Sequence, residues 1–222
     1  MIFRVLVAAF FLLSTPAWSS SIDEQIESLR PVIGGYPPAI ETKEQLATVV
    51  ASYEKLKSEL DSLIAKDPND LGLLFKRGSL QQMGHNMDYK KAWNGAEDDF
   101  VAILNKDPSQ VQAILALATL YINSSFELAP KAELLYRAAQ CYSDPTPNEG
   151  AQSGLFFAYY YQGNIALAYR QAALLKKLWP NNGYDELFNM AGDVLNRRKE
   201  SLPDTSTLIA ASCDKSSNSS AL

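Results

Sequence analysis

His85 is the one histidine of the chain and sits within "MGHNMDYKKAW" (83–93), so a serine or cysteine nucleophile has a single imidazole to serve as its base. We read that stretch as a lengthened turn in which His85 hydrogen-bonds locally. A hydrolase built on His85 stays as a rival reading, and it requires a polar cleft around that residue. Cys141 and Cys213 are the two thiols; far apart and with one histidine, they lack the short-range spacing of a metal site. The carboxylates Glu97, Asp98 and Asp99 have the chemistry of a general acid and base, but in succession on a helix they read as a solvated face. No G-x-x-x-x-G-K-[ST], H-E-x-x-H or G-x-S-x-G occurs. The expectation is a protein without catalytic residues, metal or cofactor, whose work is to hold another molecule.

Charge narrows what that molecule is. With 20 basic and 25 acidic residues the net charge is -5, the wrong sign for displacing counterions from a phosphate backbone, so no nucleic acid is expected. Lys176-Lys177 and Arg197-Arg198-Lys199 read as helix ends, where cations complement the helix dipole. Residues 1–19 resemble a secretory signal peptide: Arg4, the apolar run Val5 to Leu13, then "STPAWSS" with small residues at Ala17 and Ser19. Nine apolar residues cannot span a bilayer, which takes about twenty in helix. The expected destination is periplasmic or secreted, with no stable membrane insertion once the signal is cleaved. In an oxidising compartment Cys141 and Cys213 could pair and pin the tail to the body; equally, Cys141 could be a small hydrophobe near a helix end and Cys213 a free thiol.

The elements that would position a binding surface follow from periodicity. Residues 20–41, with Gly and Pro dense from Pro31 to Glu41, read as an irregular lead-in. Thr42 and Gln45 fit a capping box, and Leu46, Val49, Val50, Tyr53, Leu56, Leu60, Leu63 and Ile64 form one apolar stripe, predicting a helix that ends near Asp67-Pro68. "KDPND" (66–70), "KDPSQ" (106–110) and "LWPNN" (178–182), with the variant "SDPTPNE" (143–149), then close three units of about 71–110, 111–148 and 149–182. A closing helix is expected over 183–200. Residues 201–222, rich in Ser and Thr, are expected to be disordered, or else to dock in the groove through Leu208 and Ile209.

This series resembles the tetratricopeptide repeat, a helix hairpin of about 34 residues. In the third unit Leu155 and Tyr159 match the first helix, Gly163 the turn, Ala168 the close crossing, Leu175 a core position and Pro180 the stop. Ile114, Leu117, Ala118, Tyr121, Ala132, Tyr136 and Ala139 match in the second unit, and Leu74, Gly78, Ala96, Phe100 and Pro108 in the first. Phe156 stands where a small residue is usual, and Leu74, Ile114 and Gln152 replace the family's aromatic.

The resemblance implies an all-α fold: a right-handed α-solenoid of about three hairpins, with flanking N-terminal and C-terminal capping helices within a domain of 42–200. It also implies a concave surface made by the first helix of each unit. That places Phe75, Ser79 and Gln82, then Leu115, Thr119, Ile122 and Asn123, then Ser153, Phe157, Tyr160 and Tyr161 on it. The family's Lys and Asn pattern for clamping a terminal carboxylate is missing. The implied function is a non-catalytic adaptor gripping a protein or peptide partner in an envelope assembly. The alternative is a solute-binding protein that uses the same groove as a pocket walled by the long turns at 84–92 and 123–131.

Overall fold

The computed structural model describes residues 21–208 and 210. The expected signal peptide, Ile209, Cys213 and the proposed Cys141–Cys213 pairing therefore lie outside the described residues. Among the described residues nine α-helices follow one another: α1 (Ile22–Ile33), α2 (Lys43–Lys66), α3 (Leu71–His85), α4 (Ala92–Lys106), α5 (Val111–Ser124), α6 (Ala129–Ser143), α7 (Glu149–Tyr161), α8 (Ile165–Leu178) and α9 (Asp185–Arg198). A short 3-10 turn, Phe126–Leu128, precedes α6. No strand occurs among the described residues, and no helix among them is long and apolar enough to cross a membrane.

Packing runs between neighbours. The closest-packed neighbours are α3–α4, α5–α6, α6–α7 and α7–α8, so each hairpin is joined to the next by a second helix lying against the following first helix. The first helices α1, α3, α5 and α7 also touch in series. The apolar side chains divide into a large cluster from Ile64 to Leu195 and a smaller one, in which Ile26, Leu29 and Ile33 of α1 meet Tyr53, Leu56 and Leu60 of α2 and Leu80 and Met83 of α3.

The first correction is α1 itself, where an irregular lead-in was expected. Ser21 and Glu24 form a full capping box, with the Glu24 amide donating to Ser21 Oγ at 3.2 Å and the Ser21 amide to Glu24 Oε2 at 2.8 Å. Ile22, Ile26, Leu29 and Ile33 then supply a stripe at helical spacing. Pro31 lies in the last turn, and the irregular segment shrinks to 34–42. Thr42 caps α2 as expected, but Gln45 reaches back to the amide of Glu41 rather than to that of Thr42.

Glycines set two close features of the third hairpin. Gly163 has φ +76° and open space around it, so its backbone angle rather than crowding calls for glycine in the α7–α8 turn. Gly154 is the opposite case: a Cβ there would fall 2.2 Å from the ring of Tyr136 on α6. Tyr136 is buried and shares a 3.3 Å hydrogen bond with Thr119, so it has little freedom to retreat. The close approach therefore lies between α6 and α7, while Phe156 is fully buried in the main cluster. Gly154→Val should cost about 1–3 kcal/mol by overpacking, read as a lower denaturation midpoint.

Two buried polar chains run through the stack. Arg77 on α3 donates to both carboxylate oxygens of Asp99 on α4 (2.9 and 2.6 Å) and to Asp61 on α2 (2.8 Å), and Gln81 adds a bond to Asp99 at 3.0 Å. Asp99 is only 2% exposed, which corrects the reading of 97–99 as a solvated face. The Asp99 hydrogen bonds lead the causes that hold Arg77 above its ordinary pKa. At Asp61 burial pushes the carboxyl up, but Lys57 and Arg77 together outweigh it and keep the pKa below 3.8. Glu97 accepts from Tyr121 Oη at 2.7 Å, and Asp98 alone of the three is exposed.

The second chain is built of amides. Gln171 (α8) donates to Gln152 (α7) at 2.8 Å, Gln152 donates to Gln140 (α6) at 2.8 Å, and Gln140 donates to Thr146 O at 3.1 Å. These buried side chains satisfy one another's hydrogen-bonding groups.

At the far end α9 is fastened by Glu149, which accepts from Tyr184 Oη and Asn182 Nδ2 at 2.6 Å each. Burial first, then this bond, pushes the Tyr184 hydroxyl up to about 12. Residues 201–208 follow α9 without regular secondary structure. Ser206 donates from its amide and its hydroxyl to Asp204, Thr207 O accepts from Arg170 on α8 at 3.0 Å, and Leu208 borders a hollow with Arg137, Leu167 and Leu174. That hollow is lined by α6, by α8 and by Tyr159 of α7, and Leu208 borders neither hollow of the first-helix face described below.

Candidate functional site

The first helices carry the candidate site because their spacing leaves side chains without neighbours on one face. A hollow of about 300 Å³ runs along the α3–α5 seam, bordered by Phe75, Ser79 and Gln82 of α3 and by Thr119 and Asn123 of α5. A second, of about 520 Å³, lies at the C-terminal ends of α3, α5 and α7, where Ile122, Asn123 and Tyr161 meet. The two share Gly34, His85, Asn86 and Asn123 and so form one depression.

Seven of the residues expected from sequence therefore border it: Phe75, Ser79, Gln82, Thr119, Ile122, Asn123 and Tyr161. Leu115, Phe157 and Tyr160 border neither hollow. They are half-buried against the main cluster: Phe157 meets Phe156 edge-on at 5.2 Å, Tyr160 stacks on Phe156 at 5.8 Å, and Leu115 approaches Gly150 of α7. Ser153 likewise borders neither hollow; its hydroxyl donates to Gly150 O at 3.2 Å.

The wall that sequence reasoning missed comes from α1 and the segment after it. Arg30 and Gly34 border the first hollow, and Gly34, Gly35 and Tyr36 the second. Asn86 holds this wall by donating to Ile33 O at 2.9 Å, and Lys76 pairs with Asp23 at 2.8 Å. The signal for it was present as the Ser21–Glu24 cap and the isoleucine–leucine stripe. The long turn after α3 mostly folds back: Met83 is buried, Tyr89 packs on Tyr53 with ring centroids 4.7 Å apart, and Trp93 Nε1 donates to Ser124 Oγ at 2.7 Å. Phe126, 69% exposed, stays outside.

The chemistry of the lining is that of unspent polar groups. The side chains of Ser79, Gln82 and Asn123 and the hydroxyls of Tyr36 and Tyr161 make no hydrogen bond to the described residues. Charge is sparse. Arg30 is bound by both oxygens of Glu27 at 2.8 and 2.7 Å, and Asp88 stands at the rim without an ion pair among the described residues. His85 Nε2 lies 3.4 Å from Ser124 Oγ, but that hydroxyl gives its proton to Leu120 O at 2.5 Å. With the serine proton directed to Leu120 O, Ser124 Oγ does not donate to the imidazole, as a nucleophile activated by its base would. Among the described residues no group of three or more His, Cys, Asp or Glu could hold a metal ion. No protein-family model, no curated protein and no solved structure matches this chain.

Proposed function

We propose that the chain is a non-catalytic binding scaffold of the tetratricopeptide-repeat kind, a right-handed α-solenoid capped by α9, which holds a peptide or protein partner on the face of its first helices. Its export through residues 1–19 and its work in an envelope assembly belong to the same reading. The observation that carries it is the continuous depression across α3, α5 and α7, bordered by seven of the residues that the repeat pattern turns inward. An open groove with unspent amide and hydroxyl groups suits a chain with its own backbone polar groups to satisfy.

A photo-crosslinking residue at position 123 or 161 should capture a defined partner from envelope extract, and one at the exposed position 101 on α4 should not. Asn123→Ala and Tyr161→Ala should lower capture of that partner about tenfold. Equal capture from position 101 ends the groove assignment. One observation favours the solute reading: the second hollow is fenced by residues 34–36 and the 86–88 turn, and its volume falls in the range of small-ligand pockets. Crosslinking to no polypeptide from either groove position selects that reading.

A further inference from the structure

Cys141 lies half-buried on α6 and is disulfide-bonded, and Cys213 is the one other cysteine of the chain. The course of the residues after α9 bears on that pairing. Lys199, at φ +58°, ends α9 and turns the chain out of the helix. Beyond it Pro203, Thr205, Leu208 and Ala210 are half-buried, while Leu202, Asp204, Ser206 and Thr207 are exposed. Such near-alternation is that of an extended segment laying one edge on the body.

Two contacts fix where that edge lies. Arg170 of α8 donates to Thr207 O at 3.0 Å, and Leu208 borders a hollow of about 250 Å³ whose walls include Arg137 of α6, Tyr159 of α7 and Leu167 and Leu174 of α8. Arg137 and Cys141 stand four residues apart on α6, hence on one face and about 6 Å apart along the axis. Cys213 follows Leu208 by five residues, and five extended residues span up to about 16–18 Å. That length covers the turn from Arg137 to Cys141 and leaves room for the Cα separation of about 5.5–6 Å that a disulfide takes.

From these contacts and this reach we infer that residues 201–213 form a strap laid over α8 to α6, locked by a Cys141–Cys213 disulfide and opened by a dithiol reductant. The strap ties the end of the array to its second hairpin, closing a loop of about 70 residues. Closing takes two protons and two electrons from the thiols and passes the electrons to a disulfide oxidant, which becomes two thiols; a dithiol reverses the exchange. Opening frees Arg170 and bares the hollow beside Leu167. What the face of the first helices holds does not enter this inference.

The test begins with peptide mapping of the oxidised full chain, which should yield one cross-linked pair holding Cys141 and Cys213. In buffers of reduced and oxidised glutathione the effective concentration of the two thiols should fall about threefold to tenfold in Arg170→Ala and again in Leu208→Ser, each of which removes one docking contact. Cys213→Ser should melt about 4–16 °C below the oxidised chain and match the reduced one. Thermolysin, which cuts before leucine, should cleave at Leu208 about tenfold faster once the chain is reduced. Arg170 is exposed and Leu208 half-buried, so unchanged helical circular dichroism checks that these variants fold.

A disulfide-linked dimer, or a monomer that keeps two free thiols in oxidised glutathione, overturns the inference. An effective concentration indifferent to both Arg170→Ala and Leu208→Ser does so as well, since the bond would then tether an undocked tail. Cleavage at Leu208 unchanged by reduction also overturns it.

Discussion

Arg77→Met should lower the unfolding free energy by about 3–5 kcal/mol, measured by denaturant unfolding, because it strands the buried Asp99 carboxylate. The effect is large because Asp99 has nowhere else to turn. Its two oxygens are held by Arg77, one of them also by Gln81, and the side chain is 3% exposed. Arg77 also spans to Asp61, so the variant unties α2, α3 and α4 at one point. The double variant Arg77→Met with Asp99→Leu should recover much of the loss, since two apolar groups of similar volume leave no buried charge unmatched. A double variant as unstable as the single one would show that the cost arises from packing around Arg77 instead.

Phe156→Ala should cost a comparable amount, about 3–5 kcal/mol, by removing a fully buried ring. The first two units place Gly78 and Ala118 where the third has Phe156. If Phe156 merely tolerated a position meant for a small residue, alanine would relieve the third hairpin and raise its stability. The structure gives the other expectation. The close approach has moved to Gly154 against Tyr136, and Phe156 packs with Phe157 and Tyr160 inside the main cluster. Opposite signs thus separate the two accounts in a single thermal or chemical denaturation experiment.

The beginnings of the three hairpins were readable because they are punctuated locally. Pro68, Pro108 and the 143–149 segment stop one helix, and α3, α5 and α7 start at Leu71, Val111 and Glu149, with Asp70 and Asn148 as side-chain caps. What a single sequence hides is which charged or aromatic side chain turns inward. Asp99 looks like its neighbour Asp98, and only the arrival of Arg77 from another helix makes its burial tolerable. Leu115, Phe157 and Tyr160 fit the inward-facing pattern, and they are half-buried against the main cluster, a degree of burial that periodicity alone does not give. The lead-in was misread because Pro31, Gly34, Gly35, Pro37 and Pro38 outweighed the cap at Ser21, although that proline falls in the final turn, where it does little harm to a helix.

The groove borrows part of its boundary from the most loosely paired helix of the array. α1 touches α2 and α3 lightly compared with the hairpins that follow, and the segment 34–36 that fences the depression is carried at its end. A mechanical load pulling on the amino-terminal side would meet its weakest joint there. α1 would peel away, taking Gly34 to Tyr36 with it and unroofing one flank of the depression while the three hairpins beyond stayed folded.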